Sequence, residues 1–122
     1  MSGLCISVNE EFGFVECAEG RLEFLVADEM ATICAIEVVR KRRGVGTALI
    51  QHFDNYCRAK GLSDVFVPAT PSKRVVSFWI KNGFSCFFPE DTKIVKRILN
   101  KVNSVHITNV DSGIIALRKE LV

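Results

Sequence analysis

A chain of 122 residues is long enough for one folded domain, and 48% hydrophobic with 25% charged residues is the composition of a globular protein rather than a disordered segment. Its net charge of +2 is too small to indicate nucleic acid by itself. The five cysteines (Cys5, Cys17, Cys34, Cys57, Cys86) form an odd set without C-x-x-C spacing, which argues against a disulfide framework or a zinc site and for a reducing compartment.

Leu4 to Val8 reads as a first strand and Gly13 to Ala18 as a second. Glu19-Gly20 turns into Arg21 to Ala27, where Leu22, Phe24 and Val26 share one face at period two. After Asp28-Glu29, Ala31 to Val39 is a near-continuous apolar run, the pattern of a central strand. Val45, Leu49, Phe53, Tyr56 and Cys57 recur at helical spacing, so a helix is expected over 45–60 with Gly61 just past its end. Val65 to Val67 is a short buried strand, parallel to Ala31–Val39 by the crossover rule. Thr70 is expected to cap the next helix by accepting the Lys73 N–H, with Pro71 at its first position. Val75, Phe78 and Trp79 would face inward on that helix, which Asn82-Gly83 ends. Phe84 to Phe88 reads as a strand, and Pro89-Glu90-Asp91 opens a helix carrying Ile94, Val95, Ile98 and Leu99. Ser104 to Asn109 and Ile114 to Leu121 form a terminal hairpin around Asp111-Ser112-Gly113. No linker or repeat divides the chain, so residues 1–122 are expected to form a single domain. Neither a signal peptide nor an apolar run of 18 residues is visible, and a soluble cytoplasmic protein, or a nuclear one in a eukaryote, is expected.

Between the central strand and the helix at Val45 stands Lys41-Arg42-Arg43-Gly44-Val45-Gly46-Thr47. A strand, a glycine turn and a helix start present backbone N–H groups at the positive end of a helix dipole, which is a seat for phosphate. Glycines there let the backbone approach the anion, and the three cations add charge. The dinucleotide fingerprint is absent because Leu49 stands where its third glycine would be, and no Gly-Lys-Ser/Thr of a Walker loop follows. The basic run Arg40 to Arg43 could serve nucleic acid, but the adjacent anion seat accounts for it.

The remaining pattern, [Gln/Arg]-x-x-Gly-x-[Gly/Ala] with Lys41 in first place, resembles the GNAT superfamily of N-acetyltransferases. The resemblance covers about residues 31 to 84: the strand Thr32-Ile33-Cys34-Ala35-Ile36, the loop and its helix, Asp64 to Ala69, and a helix ending Phe78-Trp79-Ile80-Lys81-Asn82-Gly83-Phe84. It implies an α+β fold with a mixed, mostly antiparallel central sheet, a parallel, splayed central strand pair and flanking helices. It also implies an enzyme that uses acetyl-CoA, and no metal, to acetylate a primary amine of a protein or small molecule by direct attack on the thioester. The alternative is a catalytically impaired acyl-CoA-binding regulatory module.

By that resemblance the backbone of Cys34, Ala35 and Ile36 would hold the pantetheine arm, with Ile36 near the carbonyl. Lys41 and the N–H groups of Arg42, Arg43, Gly44, Val45, Gly46 and Thr47 would hold the pyrophosphate, and Ser72 and Trp79 would flank the arm. The family places two helices between its first two strands where this chain has only Asn9 to Phe12, so the acceptor side is open or is completed by a second copy or a partner chain. Glu29 and Glu37 are the candidate general bases. The family's glutamate position falls on Met30, so Glu29 would need a bulge to come into line, and Glu37 lies just past Ile36. Phe78 and Trp79 occupy the places of the family's acidic tyrosine, leaving the thiolate to water or Ser77.

Overall fold

A computed structural model of the chain describes residues 5–9, 12–39, 44–100 and 113–121. Its elements are β1 (Cys5–Asn9), β2 (Phe12–Cys17), β3 (Gly20–Ala27), β4 (Met30–Val38), α1 (Val45–Ala59), β5 (Asp64–Ala69), α2 (Lys73–Lys81), β6 (Ser85–Cys86), α3 (Thr92–Asn100) and β7 (Ile115–Glu120). A 3-10 turn, Pro89–Asp91, leads into α3. The seven strands run in the order β1-β2-β3-β4-β5-β7-β6. β1 to β4 pair antiparallel, as do β6 and β7, whereas β4 and β5 are parallel from Met30↔Asp64 to Thr32↔Phe66. The chain resolves into two compact units, Met1–Phe66 with Glu120–Val122, and Val67–Lys119.

In the first unit the period-two pattern of β3 decides which face is covered. Leu22 and Phe24 are fully buried together with Val15, and α1 lays Leu49, Ile50, Phe53 and Cys57 on that face. The Phe24 ring stands 4.6 Å from Phe53 and 5.6 Å from Tyr56. It also lies on Gly13, where an added Cβ would come within 2.4 Å of Phe24 Cζ, so that strand position has room only for glycine. Asp28 and Glu29 both take left-handed φ, 51° and 66°, and join Ala27 to Met30 in a two-residue hairpin turn.

The β3–β4 register then shifts. Phe24 faces Ile33 but Glu23 faces Ala35, so Cys34 is the extra residue of a β-bulge. Before the bulge Ala31 and Ile33 turn into the core; after it Ile36, opposite Leu22, takes the core side and Ala35 is left exposed.

The second unit corrects three sequence expectations. The cap of α2 is Ser72, not Thr70: Ser72 is extended (φ −126°, ψ 149°) and its Oγ accepts the Val75 N–H at 3.3 Å. The Ser72 N–H donates to the Thr70 carbonyl at 2.8 Å across Pro71, a tight turn that delays the helix by two residues. Val76, with Trp79, is the buried pair of α2, while Val75 and Phe78 are half-buried. The strand expected over Phe84–Phe88 contracts to Ser85–Cys86, because Phe87 and Phe88 bend outward ahead of Pro89, which has no N–H for a ladder. α2 packs on α3, whose Val95 and Ile98 are buried as its periodicity requires. The expected strand Ser104 to Asn109, like Asp111 and Ser112 of the hairpin turn, lies outside the described residues.

Candidate functional site

α1 begins in the way its sequence suggests. Val39 N–H donates to Glu19 C=O at 2.8 Å, carrying the β3–β4 ladder to the edge of the loop. Lys41, Arg42 and Arg43 lie outside the described residues. Gly44 is then left-handed (φ 73°, ψ 8°), and its carbonyl accepts the Ala48 N–H at 3.0 Å. No side chain caps this helix and no acidic residue occupies its first turn. The N–H groups of Val45, Gly46 and Thr47 therefore lack helical acceptors, and nothing in that turn offsets the positive end of the dipole. Among the described residues a Cβ at Gly44 would meet nothing within 4 Å, so they leave the space in front of the turn open. Buried Val45 and Gly46 anchor it from behind. Gly20 makes the anchoring close: a Cβ there would lie 2.8 Å from the Glu37 carbonyl oxygen and 3.1 Å from both Leu49 Cδ1 and Val45 Cγ1.

The pairing of β4 with β5 ends at Thr32↔Phe66, while that with β3 continues past it. Cys34 and Ala35 are exposed and Ile36 is half-buried. The bulge frees Cys34 from the regular ladder, and its thiol donates to the Thr32 carbonyl at 3.7 Å. Burial, and then the Glu23 carboxylate, push the Cys34 thiol up, so it rests as a neutral group.

The carboxylates fall into two places. Glu29 sits at the exposed tip of the β3–β4 hairpin, and the five residues to Cys34 put it about 16 Å from the bulge at strand rise. A bulge does exist, but at Cys34, where it changes the facing of the residues beyond it rather than that of Glu29. Glu37 is exposed on the face of Ala35 and pairs across the strands with Arg21.

The sequence reading passed over Glu23, which stands directly opposite Ala35. Counting back from the two-residue turn at Asp28-Glu29 would have brought it to Cys34, one residue short, because a bulge leaves no mark in a simple alternation. Arg21 binds Glu16 Oε2 through Nη1 at 3.2 Å and approaches Glu23 Oε1 with Nε at 3.2 Å, an ion pair not aligned as a hydrogen bond. The Arg21 guanidinium lies 3.9 Å above the Phe14 ring. Phe14, Arg21 and Glu23 border a cavity of about 290 Å³ that Val8 and Phe12 also line.

Ser72 and Trp79 belong to the second unit. There Ser72 Oγ is engaged as the α2 cap, and Trp79, 4% exposed, packs edge-on against Phe78 and Phe84 at 5.0 and 5.2 Å. Tyr56 is half-buried against Phe24, and burial with the neighbouring Cys57 raises its pKa. Among the described residues no group of three or more His, Cys, Asp or Glu is placed to hold a metal ion, and no helix is long and apolar enough to cross a membrane.

No protein-family model matches the chain, and no curated protein matches it in sequence. Solved structures do match it in shape. The PaiA N-acetyltransferase from Thermoplasma acidophilum, in complex with coenzyme A, is similar over 89% of this chain at a TM-score of 0.61 and 16% identity. This chain spans 59% of that one's length. Tetrahymena GCN5 is similar over 93% of this chain and 71% of its own, with a TM-score of 0.66 and 12% identity. The anti-CRISPR protein AcrVA5 is similar over 95% of this chain and 97% of its own, with a TM-score of 0.58 and 19% identity. The chain therefore has the GNAT fold: a mostly antiparallel mixed sheet with one parallel central pair and helices after β4 and β5.

Proposed function

We propose that this GNAT-fold chain is an acetyl-CoA-dependent N-acetyltransferase that acetylates a primary amine. The observation that carries the reading is the start of α1, where a glycine turn opens on free space before uncapped N–H groups and follows a central strand whose middle is exposed. An anion of pyrophosphate type would be bound there by Gly44, Val45, Gly46 and Thr47, with Lys41, Arg42 and Arg43 supplying charge. The pantetheine arm would lie along Cys34, Ala35 and Ile36, while Ser72 and Trp79 are contacts offered by the resemblance alone. Several coenzyme A-bound or N-acetyltransferase structures share the fold, which supports a CoA-type donor. The amine would attack the thioester carbon; the C–N bond forms, the C–S bond breaks, and the thiolate takes its proton from water, since Phe78 and Trp79 have none to give. The base would be a carboxylate, for which the sequence argument alone offers Glu29 or Glu37. The connection from β1 to β2 is only two residues long, which supports an acceptor side that is open or completed by a second copy or partner chain. Cytoplasmic residence fits the free cysteines.

Release of free CoA thiol from acetyl-CoA in the presence of blocked lysine peptides, diamines and aryl amines tests the proposal. Turnover with any of them supports an enzyme. Acetyl-CoA binding without turnover would favour the second reading, a regulatory acyl-CoA-binding module, which the missing tyrosine at Phe78 and Trp79 supports. No binding at millimolar acetyl-CoA would overturn both.

A further inference from the structure

We propose that the face of β1–β4 opposite α1 seats the acceptor as a primary alkylammonium on an apolar stem, and that Glu23 is the base that takes its proton. This rests on the acyl-CoA reading above and deepens it. The strand registers draw the track. Ser7 pairs with Phe14, Phe14 with Glu23, and Glu23 with Ala35, so these side chains form one row across the sheet that ends at the bulge. Phe14 and Ala35 are two strand spacings apart, about 10 Å. The roughly 290 Å³ cavity lies at the far end of the row and the exposed Cys34–Ala35 segment, next to Ile36 where the resemblance puts the acetyl carbonyl, at the near end. Glu23 lines the cavity and faces Ala35 across the strands.

The chemistry of the row suits a cation. Glu16 and Glu37 flank Arg21 in the next row, and Glu23 reaches Arg21 from beside it, so three carboxylates surround one guanidinium in a chain of net charge +2. Phe12, 62% exposed, gives an aromatic bed for a four-carbon stem and for the approaching ammonium, beside Phe14, whose ring already carries Arg21. Arg21, held between Glu16 and the Phe14 ring, fixes Glu23 Oε1 and so acts as a positioning residue. The Glu23 charge reaches the bulge, because it contributes to raising the Cys34 thiol. Glu29, at the hairpin tip, has no comparable path to that point. In the reaction the ammonium gives one proton to Glu23, the neutral amine attacks the thioester carbonyl, and the C–S bond breaks as the C–N bond forms. The second amine proton leaves to solvent, and the thiolate takes its proton from water.

The groups that face Glu23 and can shape a pH profile are Arg21 on its own strand, Glu16 on β2, and Cys34 and Glu37 on β4. Steady-state kinetics should be run with acetyl-CoA and two amines of the same chemistry, a blocked lysine peptide and a free diamine. With whichever amine turns over, Glu23→Gln should lower kcat at pH 7 by about a hundredfold, leave the acetyl-CoA KM unchanged, and recover as pH rises. Phe12→Ala should raise the amine KM with little change in kcat. Preference for the peptide or the diamine identifies the source. A Glu23→Gln enzyme with the parent kcat and pH profile, or the same loss appearing in Glu37→Gln instead, would overturn the assignment. A readout independent of turnover is site-resolved alkylation of Cys34: millimolar amine should protect it in the presence of CoA, and no protection would overturn the seat. Failure of acetyl-CoA to bind is a separate result, against the donor reading.

Discussion

Two glycines carry more of this fold than their number suggests. At Gly13 a Cβ would strike the Phe24 ring at the centre of the first unit, and at Gly20 it would strike the Glu37 carbonyl and part α1 from the sheet. Gly13→Ala and Gly20→Ala should each destabilise the protein by about 1–3 kcal/mol, the usual cost of overpacking, read as a lower denaturant midpoint at unchanged m-value. A glycine in a strand marks a close approach, but only the structure says to what. The cysteines divide in the same way. Cys5 and Cys34 are exposed while Cys57 is buried, with its pKa pushed up to about 12 by burial and the nearby Asp54 carboxylate. At pH 8 a thiol-specific reagent should label Cys5 and Cys34 in the folded protein and leave Cys57 unmodified until the chain is unfolded. Labelling of native Cys57 at the rate of Cys5 would contradict the packing of α1 against β3. Glu23 escaped a sequence reading for a physical reason. Carboxylates were sought by spacing to the loop, and the residue nearest the exposed bulge comes from the neighbouring strand.

At the level of elements, the strongly periodic segments were legible and the punctuation was less so. β2, β3, β4 and α1 lie within one or two residues of where period and turn chemistry put them, and the parallel pairing of β5 with β4 follows from the crossover rule. The α2 start was misplaced because Thr70 and Ser72 are both capable caps, and the turn across Pro71 chooses Ser72. Ser72→Ala should therefore cost about 1 kcal/mol of stability where Thr70→Ala costs little, the reverse of the sequence expectation. The bulge at Cys34 was invisible because it needs both strands to define it. For α1 the structure sharpens a test of the donor loop. Gly46 is buried, so substitution there perturbs the fold and the loop together. Gly44 is exposed, and a Cβ on it projects into space that the described residues leave open, at the cost of left-handed strain, about 1–3 kcal/mol and toward the upper end for a β-branched side chain. Gly44→Val should keep the fold and weaken acetyl-CoA by tenfold or more, because its side chain enters the space the phosphate would fill. Unaltered affinity by titration calorimetry would remove the α1 turn from the donor site.

The stability of the whole chain should report the same chemistry through pH and ligand. Cys57 is fully buried on the inner face of α1, and its pKa of about 12 lies above the 9.0 of an unperturbed thiol. Below pH 9 the thiol is protonated whether the chain is folded or not, so its contribution is fully present. Between about 9 and 12 the unfolded chain releases this proton while the folded chain keeps it. Stability then falls with rising pH, by at most about 1.4 kcal/mol per unit from this one group. The raised Tyr56, Cys34 and Cys86 act in the same direction. Melting temperature measured from pH 7 to 11 should be level at first and then decline, and Cys57→Ala, although less stable at pH 7 through its lost packing, should decline less steeply. Equal slopes for parent and variant would show that the thiol ionises as easily in the fold as outside it. Acetyl-CoA provides the opposing lever. At a hundred times its dissociation constant it should add about 2.7 kcal/mol at neutral pH, a rise in melting temperature on the order of ten degrees for a chain of this length. The increment should persist at pH 9.5, because the backbone N–H donors at the start of α1 do not titrate. An increment that vanished on that alkaline limb would mean that titrating groups, rather than the helix N-terminus, hold the donor.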